Sequence, residues 1–169
     1  MNPVLQPSPS QVSFTWWILW GAMCLSLVLM GVVLFFALAD GQDEPPAVSG
    51  AVDSALTLIA AGIAGAALAL RRFLSSDARL RASAEAAARL PRDARLGAFL
   101  QGQTTLLIVP LALHEAAALC GFVLAFLHRE PARYLPFLAA ALVLNALARP
   151  RPPELLLERA RTLAPQVFA

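Results

Sequence analysis

A chain of 169 residues that is 59% hydrophobic and 14% charged, with a mean hydropathy of +0.67, is too apolar for a water-soluble domain, whose apolar share lies nearer half. The apolar residues fall into long runs and not at core-forming periods, the pattern of helices that cross a bilayer. The net charge of +2 is small, and neither aromatic platforms beside the arginines nor a recognised motif supports nucleic-acid binding, so that class is set aside.

All 13 basic residues are Arg, and Ala, Leu and Pro are heavily used, a composition of GC-rich coding that points to a bacterial inner membrane. Cys24 and Cys120 both sit inside apolar runs and read as soft buried thiols, not as a disulfide or a zinc site.

In chain order, residues 1–13 hold three prolines and no charged side chain, and are expected to form a short disordered tail. The first apolar run, 14–39, is long enough to span a bilayer with some tilt. Trp16, Trp17 and Trp20 crowd its start, where indole rings favour the headgroup level. Its Ala37-Leu38-Ala39 ending imitates a cleavage site. The run lacks a basic n-region and is too long for a signal peptide, so it is read as a retained helix.

Asp40 to Gly50 forms an acidic, turn-rich loop, and Ser49 or Asp53 is a candidate cap for the next helix, 52–70. That helix places Ala61 against Gly65 and Gly62 against Ala66, each one turn apart. Small faces let helix backbones approach closely in lipid. Packing inside the bundle is the simpler use of this one, and an oligomer face is the other.

Residues 71–103 are the sizeable polar segment, with Arg71, Arg72, Arg79, Arg81, Arg89, Arg92 and Arg95. Ser76 or Asp77 should cap an Ala-rich helix that runs to Leu90, before Pro91. Such a basic helix is expected to lie against anionic lipid headgroups, with Arg71, Arg72, Arg79, Arg81, Arg149 and Arg151 as the contacts. The third apolar run covers 104–127, and after a turn at His128–Arg133 a fourth, shorter one covers about 133–148. The basic tail, 149–169, should carry one amphipathic surface helix over Glu154–Leu163.

The arginines orient this chain. With both termini cytoplasmic, the inward segments hold eleven arginines and the outward loops only Arg129 and Arg133; the reverse violates the positive-inside rule. The expected fold is an all-α, integral membrane four-helix bundle. Sliding the chain by 90 positions lays the first helix on the third, matching Gly31 to Gly121, Leu34 to Leu124 and Phe36 to Phe126. Two parallel helical-hairpin repeats are therefore a further expectation, although the second and fourth helices align poorly.

The third run carries Pro110, His114 and Glu115 near its middle. An ionisable side chain at that depth is costly, which makes Glu115 the ion-binding candidate. It can carry a proton or sodium ion, or it can be a protonated acid that glues helices together. His114 is adjacent in sequence and points about 100° away, so the two are poor partners. Ser26 lies at a similar depth on the first helix, Asn145 lies nearer the cytoplasmic side, and Pro110 is placed to kink the helix.

Three stretches, Ile59–Leu70, Ala87–Leu96 and Ala112–Leu127, read as a small-residue helix, a polar loop with an Arg-x-Pro element, and a helix with an embedded carboxyl. Over 55–127 this resembles the hairpin of the proteolipid (c) subunit of rotary ATPases. The resemblance implies that Glu115 is the ion-carrying carboxyl and that Ala61, Gly62 and Gly65 are its packing face. The Arg-rich connection here is longer than a proteolipid loop, and four-helix proteolipids carry the carboxyl on the fourth helix. The likeness is one of local chemistry.

No catalytic site is expected. His114-Glu115 begins a zinc-protease-like HExxH, but the second ligand position is Ala118, and no Ser/His or paired-Asp set replaces it. No metal and no cofactor are expected either. The reading is a small structural or accessory subunit that self-associates or joins a larger membrane complex, with a proteolipid-like ion-coupling oligomer as the alternative.

Overall fold

The computed structural model describes residues 8–39 and 49–167. Most of the expected N-tail and the acidic loop at 40–48 lie outside the described residues. Among those described, the secondary structure is entirely helical: α1 Pro9–Ala39, α2 Gly50–Leu74, α3 Asp77–Ala88, α4 Arg95–Leu127, α5 Leu135–Leu147 and α6 Pro153–Leu163. Short 3-10 turns at Pro131–Tyr134 and Pro165–Val167 precede α5 and follow α6. Three helices, α1, α2 and α4, are long and apolar enough to cross a membrane, while Pro131–Leu147 is a shorter apolar stretch.

The four-helix expectation is therefore corrected to six α-helices. The two additional helices come from the polar segments, and both have apolar faces to bury. In α3 these are Leu80, Ala84 and Ala87; in α6 they are Pro153, Leu157 and Ala160. Leu80, Ala84, Ala87, Leu157 and Ala160 join Val12 and Trp16 of α1 and Phe99 and Leu100 of α4 in one hydrophobic cluster. Burying a Leu in such a cluster contributes about 1.5–3 kcal/mol. The apolar stripe of α6 is thus covered by protein, and the expected surface helix is instead part of the core.

Helix α1 begins at Pro9, ahead of the expected start at Phe14. Ser8 Oγ accepts the amide of Gln11 at 3.3 Å, and Gln11 Oε1 accepts the amide of Ser8 at 2.9 Å. This is a reciprocal capping box, with Pro9 at the first helical position where its missing N–H costs nothing. The expected tail is therefore helical from Pro9 onward. α2 also exceeds its expected limits at both ends, and α4 begins at Arg95, so that one continuous helix joins the end of the polar segment to the third apolar run. It runs through Pro110 without interruption.

A second cluster holds Leu27 and Leu34 of α1, Ala118 and Ala125 of α4, Tyr134, and Ala141 of α5. Helix α4 is the common partner, packing on α1, α2, α3 and α5. The two glycines matched by the 90-residue offset both admit side chains from the stretch 131–147. A Cβ on Gly31 would meet the Tyr134 ring at 3.3 Å, and one on Gly121 would meet Phe137 at 2.3 Å.

The turn after α4 is closed by two backbone bonds, Glu130 N–H to Ala125 O at 2.9 Å and Arg129 N–H to Phe126 O at 3.2 Å. This is a Schellman motif, and Arg129 takes the left-handed position with φ 54°. Ser49 stands at the N-cap of α2 without a side-chain bond to the helix. Asp53, the other cap candidate, instead joins that helix to the α4 turn. Its Oδ1 lies 2.6 Å from His128 Nε2, and its Oδ2 accepts from Arg133 at 3.1 Å. In α3 the expected cap is present, with Ser76 Oγ accepting the Arg79 amide at 3.3 Å.

Candidate functional site

The third apolar run carries its polar residues into the contact between α1, α4 and α5. Adjacent positions on α4 diverge by about 100°, and the two ionisable groups accordingly face different helices. Glu115 Oε1 lies 2.6 Å from Ser26 Oγ on α1. His114, fully buried, places Nδ1 2.8 Å from Asn145 Oδ1 on α5. His114 and Glu115 thus form two separate interhelical links.

Asn145 is the better connected of the polar residues. Its side-chain amide donates to Cys24 Sγ at 3.8 Å, and its backbone carbonyl accepts from Trp20 Nε1 at 2.8 Å. One residue of α5 thereby binds α1 twice and α4 once. With Asn145 Oδ1 as acceptor, His114 donates from Nδ1, which leaves Nε2 as the ring's acceptor in the neutral tautomer. That Nε2 is buried and has no hydrogen-bond partner among the described residues. An unsatisfied polar atom of this kind costs about 1–3 kcal/mol, so the ring is held by its one bond and by packing.

Ser26 has one hydroxyl proton and two oxygens in reach, Glu115 Oε1 and the Met23 carbonyl at 2.9 Å. When Glu115 is ionised, Ser26 donates to it. When Glu115 carries a proton, the acid donates to Ser26, and the Ser26 hydroxyl donates a hydrogen bond to the Met23 carbonyl. The pair therefore has a hydrogen-bonded arrangement for either state of the carboxyl. Glu115 is only partly buried, in contrast to His114.

Two further bonds stitch the same helices above and below. Trp16 Nε1 donates to Thr104 Oγ1 at 2.7 Å, and the buried Tyr134 hydroxyl donates to the Leu27 carbonyl at 2.8 Å. Trp16 and Trp20 thus turn inward, and of the three tryptophans only Trp17 is exposed. A buried indole N–H seeks an acceptor, which gives Trp16 and Trp20 an inward direction that a headgroup-level expectation alone does not supply. No partner at this contact was expected for Tyr134, Thr104, Trp20 or Cys24. The signal available was that α1 has few polar atoms, so each polar group opposite it must find one of those few.

The small residues of α2 are arranged the other way. Ala61, Gly62, Gly65 and Ala66 are all exposed, and open space surrounds a Cβ placed on Gly62 or Gly65. α2 packs on α4 through the face that holds Ala60 and Ala67. Packing inside the bundle, the simpler expectation for Ala61, Gly62, Gly65 and Ala66, is therefore corrected: that face is uncovered. Among the arginines expected at headgroups, Arg72 and Arg79 are exposed, and Arg81 pairs with Glu85 at 2.8 Å. Arg71 bonds the Leu147 carbonyl at the end of α5. Arg149 and Arg151 are exposed on the segment before α6.

No three His, Cys, Asp or Glu side chains among the described residues are grouped to hold a metal ion. Compared with known proteins, the chain matches no family model, no curated protein and no solved structure.

Proposed function

We propose that this chain is a small multi-pass protein of the bacterial inner membrane that serves as a structural or accessory subunit of a larger membrane assembly. The observation that carries the reading is the uncovered face of Ala61, Gly62, Gly65 and Ala66. In lipid, helices associate by close packing, and a small-residue face with nothing on it suits another helix. The polar side chains between α1, α4 and α5 meanwhile bond one another, and so act as glue inside the subunit.

In this reading α1, α2, α4 and the stretch 131–147 cross the bilayer, with both termini cytoplasmic. Its support is that Val12, Leu80, Leu100 and Leu157 share one cluster, which gathers the segments bearing eleven of the thirteen arginines at one end of the molecule. A basic end against anionic headgroups agrees with the positive-inside rule.

The native mass of the particle extracted in a gentle detergent tests this proposal. A particle containing this chain and a different chain is expected, and Gly62→Leu with Gly65→Leu should release the partner. A lone wild-type protomer would refute the accessory role.

A second reading has its own observation. Ser26 can either donate to Glu115 or accept from it, and Glu115 is only partly buried, which suits a carboxyl that exchanges a proton or sodium ion in a proteolipid-like oligomer. A homogeneous ring of this chain, with Glu115 labelled by a carbodiimide in a pH- or sodium-dependent way, would favour it. Absence of labelling over a broad pH range would end it.

A further inference from the structure

We infer that the basic end of the molecule holds a discrete binding pocket for a phosphate ester anion, formed by Arg71, Arg149 and Arg151. A cavity of about 130 Å³ lies where the end of α2, the middle of α4 and the segment before α6 meet. A single water needs about 10–15 Å³ of such volume, so the space suits a polar group of several heavy atoms. Four arginines line it, Arg71, Arg149, Arg151 and Arg159, and no acidic residue does.

Charge accounting makes this pocket different from a merely basic surface. Arg159 is neutralised by Asp77 at 2.7 Å. Arg149 and Arg151 have no side-chain hydrogen bond or ion pair among the described residues, while Arg71 touches only the neutral carbonyl of Leu147. Three arginines without a counter-charge among the described residues thus line one cavity, and no acidic residue joins them in its wall. Like charges held together cost free energy that an anion recovers, and planar guanidinium forks match phosphate oxygens in paired hydrogen bonds.

The backbone that carries two of these arginines is also held in place. Arg149 and Arg151 alternate with Pro150 and Pro152, and Pro150 and Pro153 are buried, so little backbone freedom remains to be lost on binding. Gln103 adds a neutral donor to the wall. Apart from Ser75 the remaining lining is apolar, with Leu106, Leu107 and Pro110 leading from the arginines along α4 into its apolar run. A charged mouth that continues into an apolar floor is the shape of an anionic phospholipid, headgroup and first acyl carbons together. The shared chemistry, a phosphate ester, is also that of a free phosphorylated solute. This inference does not depend on the role of Glu115 or of the α2 face.

The test uses the full chain in detergent. Native mass spectrometry reads retention of phosphatidylglycerol against phosphatidylcholine, and calorimetry reads binding of inorganic phosphate. Arg149→Gln with Arg151→Gln should weaken retention of the anionic probe by about tenfold or more, the scale of losing charge-assisted hydrogen bonds. Both residues are exposed and unpaired, so melting of this variant should match the parent. Arg72→Gln with Arg79→Gln removes the same charge outside the pocket and should change retention by less than about twofold, as expected for screened surface charge.

Phosphatidylglycerol retained in the presence of excess inorganic phosphate identifies a lipid headgroup site. Inorganic phosphate that binds with the same variant dependence and displaces or replaces the lipid identifies a solute site. Equal losses in both double variants would show diffuse attraction and overturn the pocket, as would no binding of either anionic probe.

Discussion

His114 Nδ1 lies 2.8 Å from Asn145 Oδ1, 31 positions further along the chain, and joins α4 to α5 at a level where both side chains are fully buried. Removing the amide strands the imidazole with both nitrogens unpaired. Asn145→Leu is expected to cost about 1–3 kcal/mol, the penalty of an unsatisfied buried polar group. His114→Leu combined with Asn145→Leu should cost less than the sum of the two single changes. Thermal unfolding in detergent, arranged as a double-mutant cycle, reads the coupling; strict additivity would contradict the bond.

Gly121 faces the ring of Phe137 so closely that a methyl group there would sit 2.3 Å from ring carbon. Gly121→Ala should destabilise by about 1–3 kcal/mol through overpacking. Gly62→Ala, in open space on α2, should be neutral or raise stability by up to about 1 kcal/mol through helix propensity. Comparing the two melting temperatures checks both the α4–α5 approach and the uncovered α2 face.

Arg129 occupies a left-handed backbone position that L side chains adopt at a cost of about 1–2 kcal/mol. Arg129→Gly and Arg129→Ala both remove the guanidinium, so their difference isolates the backbone term. The Gly variant should be the more stable by about 1 kcal/mol. An Ala variant as stable as the Gly variant would mean that the turn relaxes to another conformation.

The capping box at the start of α1 gives a fourth outcome. Ser8→Ala should cost about 1 kcal/mol and raise amide hydrogen exchange over residues 10–12 while leaving the middle of α1 unchanged. Exchange unaltered in that first turn would show that tertiary contacts of Val12 and Trp16 alone hold it.

The apolar runs were legible because about twenty apolar residues in succession have few other uses. Their inner ends were not, since α1 extends back through a proline-rich stretch whose composition resembles a tail. The Ser8-Pro9-x-Gln11 pattern was the sign that a helix starts there, and it outweighs the proline count. The polar segments hid how their two helices pack for a different reason. The spacing of Leu157, Ala160 and Ala164 marks an apolar stripe, but nothing local says that its partners are Leu80 and Trp16.

At the candidate site, helical geometry alone separated Glu115 from His114, and depth along the helices brought Ser26 into consideration. Which side of α4 each neighbour would occupy depends on interhelical packing, which single-chain periodicity does not encode. That is why Asn145 emerged as the partner of His114 only in three dimensions, and why the face of Gly62 and Gly65 turned outward.

The shared cluster of Val12, Trp16, Leu157 and Ala160 sets the order in which this molecule can be completed. The first turns of α1 leave the ribosome long before α6 exists, so their apolar side chains wait through most of synthesis for the surface that will cover them. Final closure joins segments separated by almost the whole chain, an arrangement of high contact order that slows the last step. Until then the basic end is open, and a helper that shields apolar segments during assembly would find its substrate there.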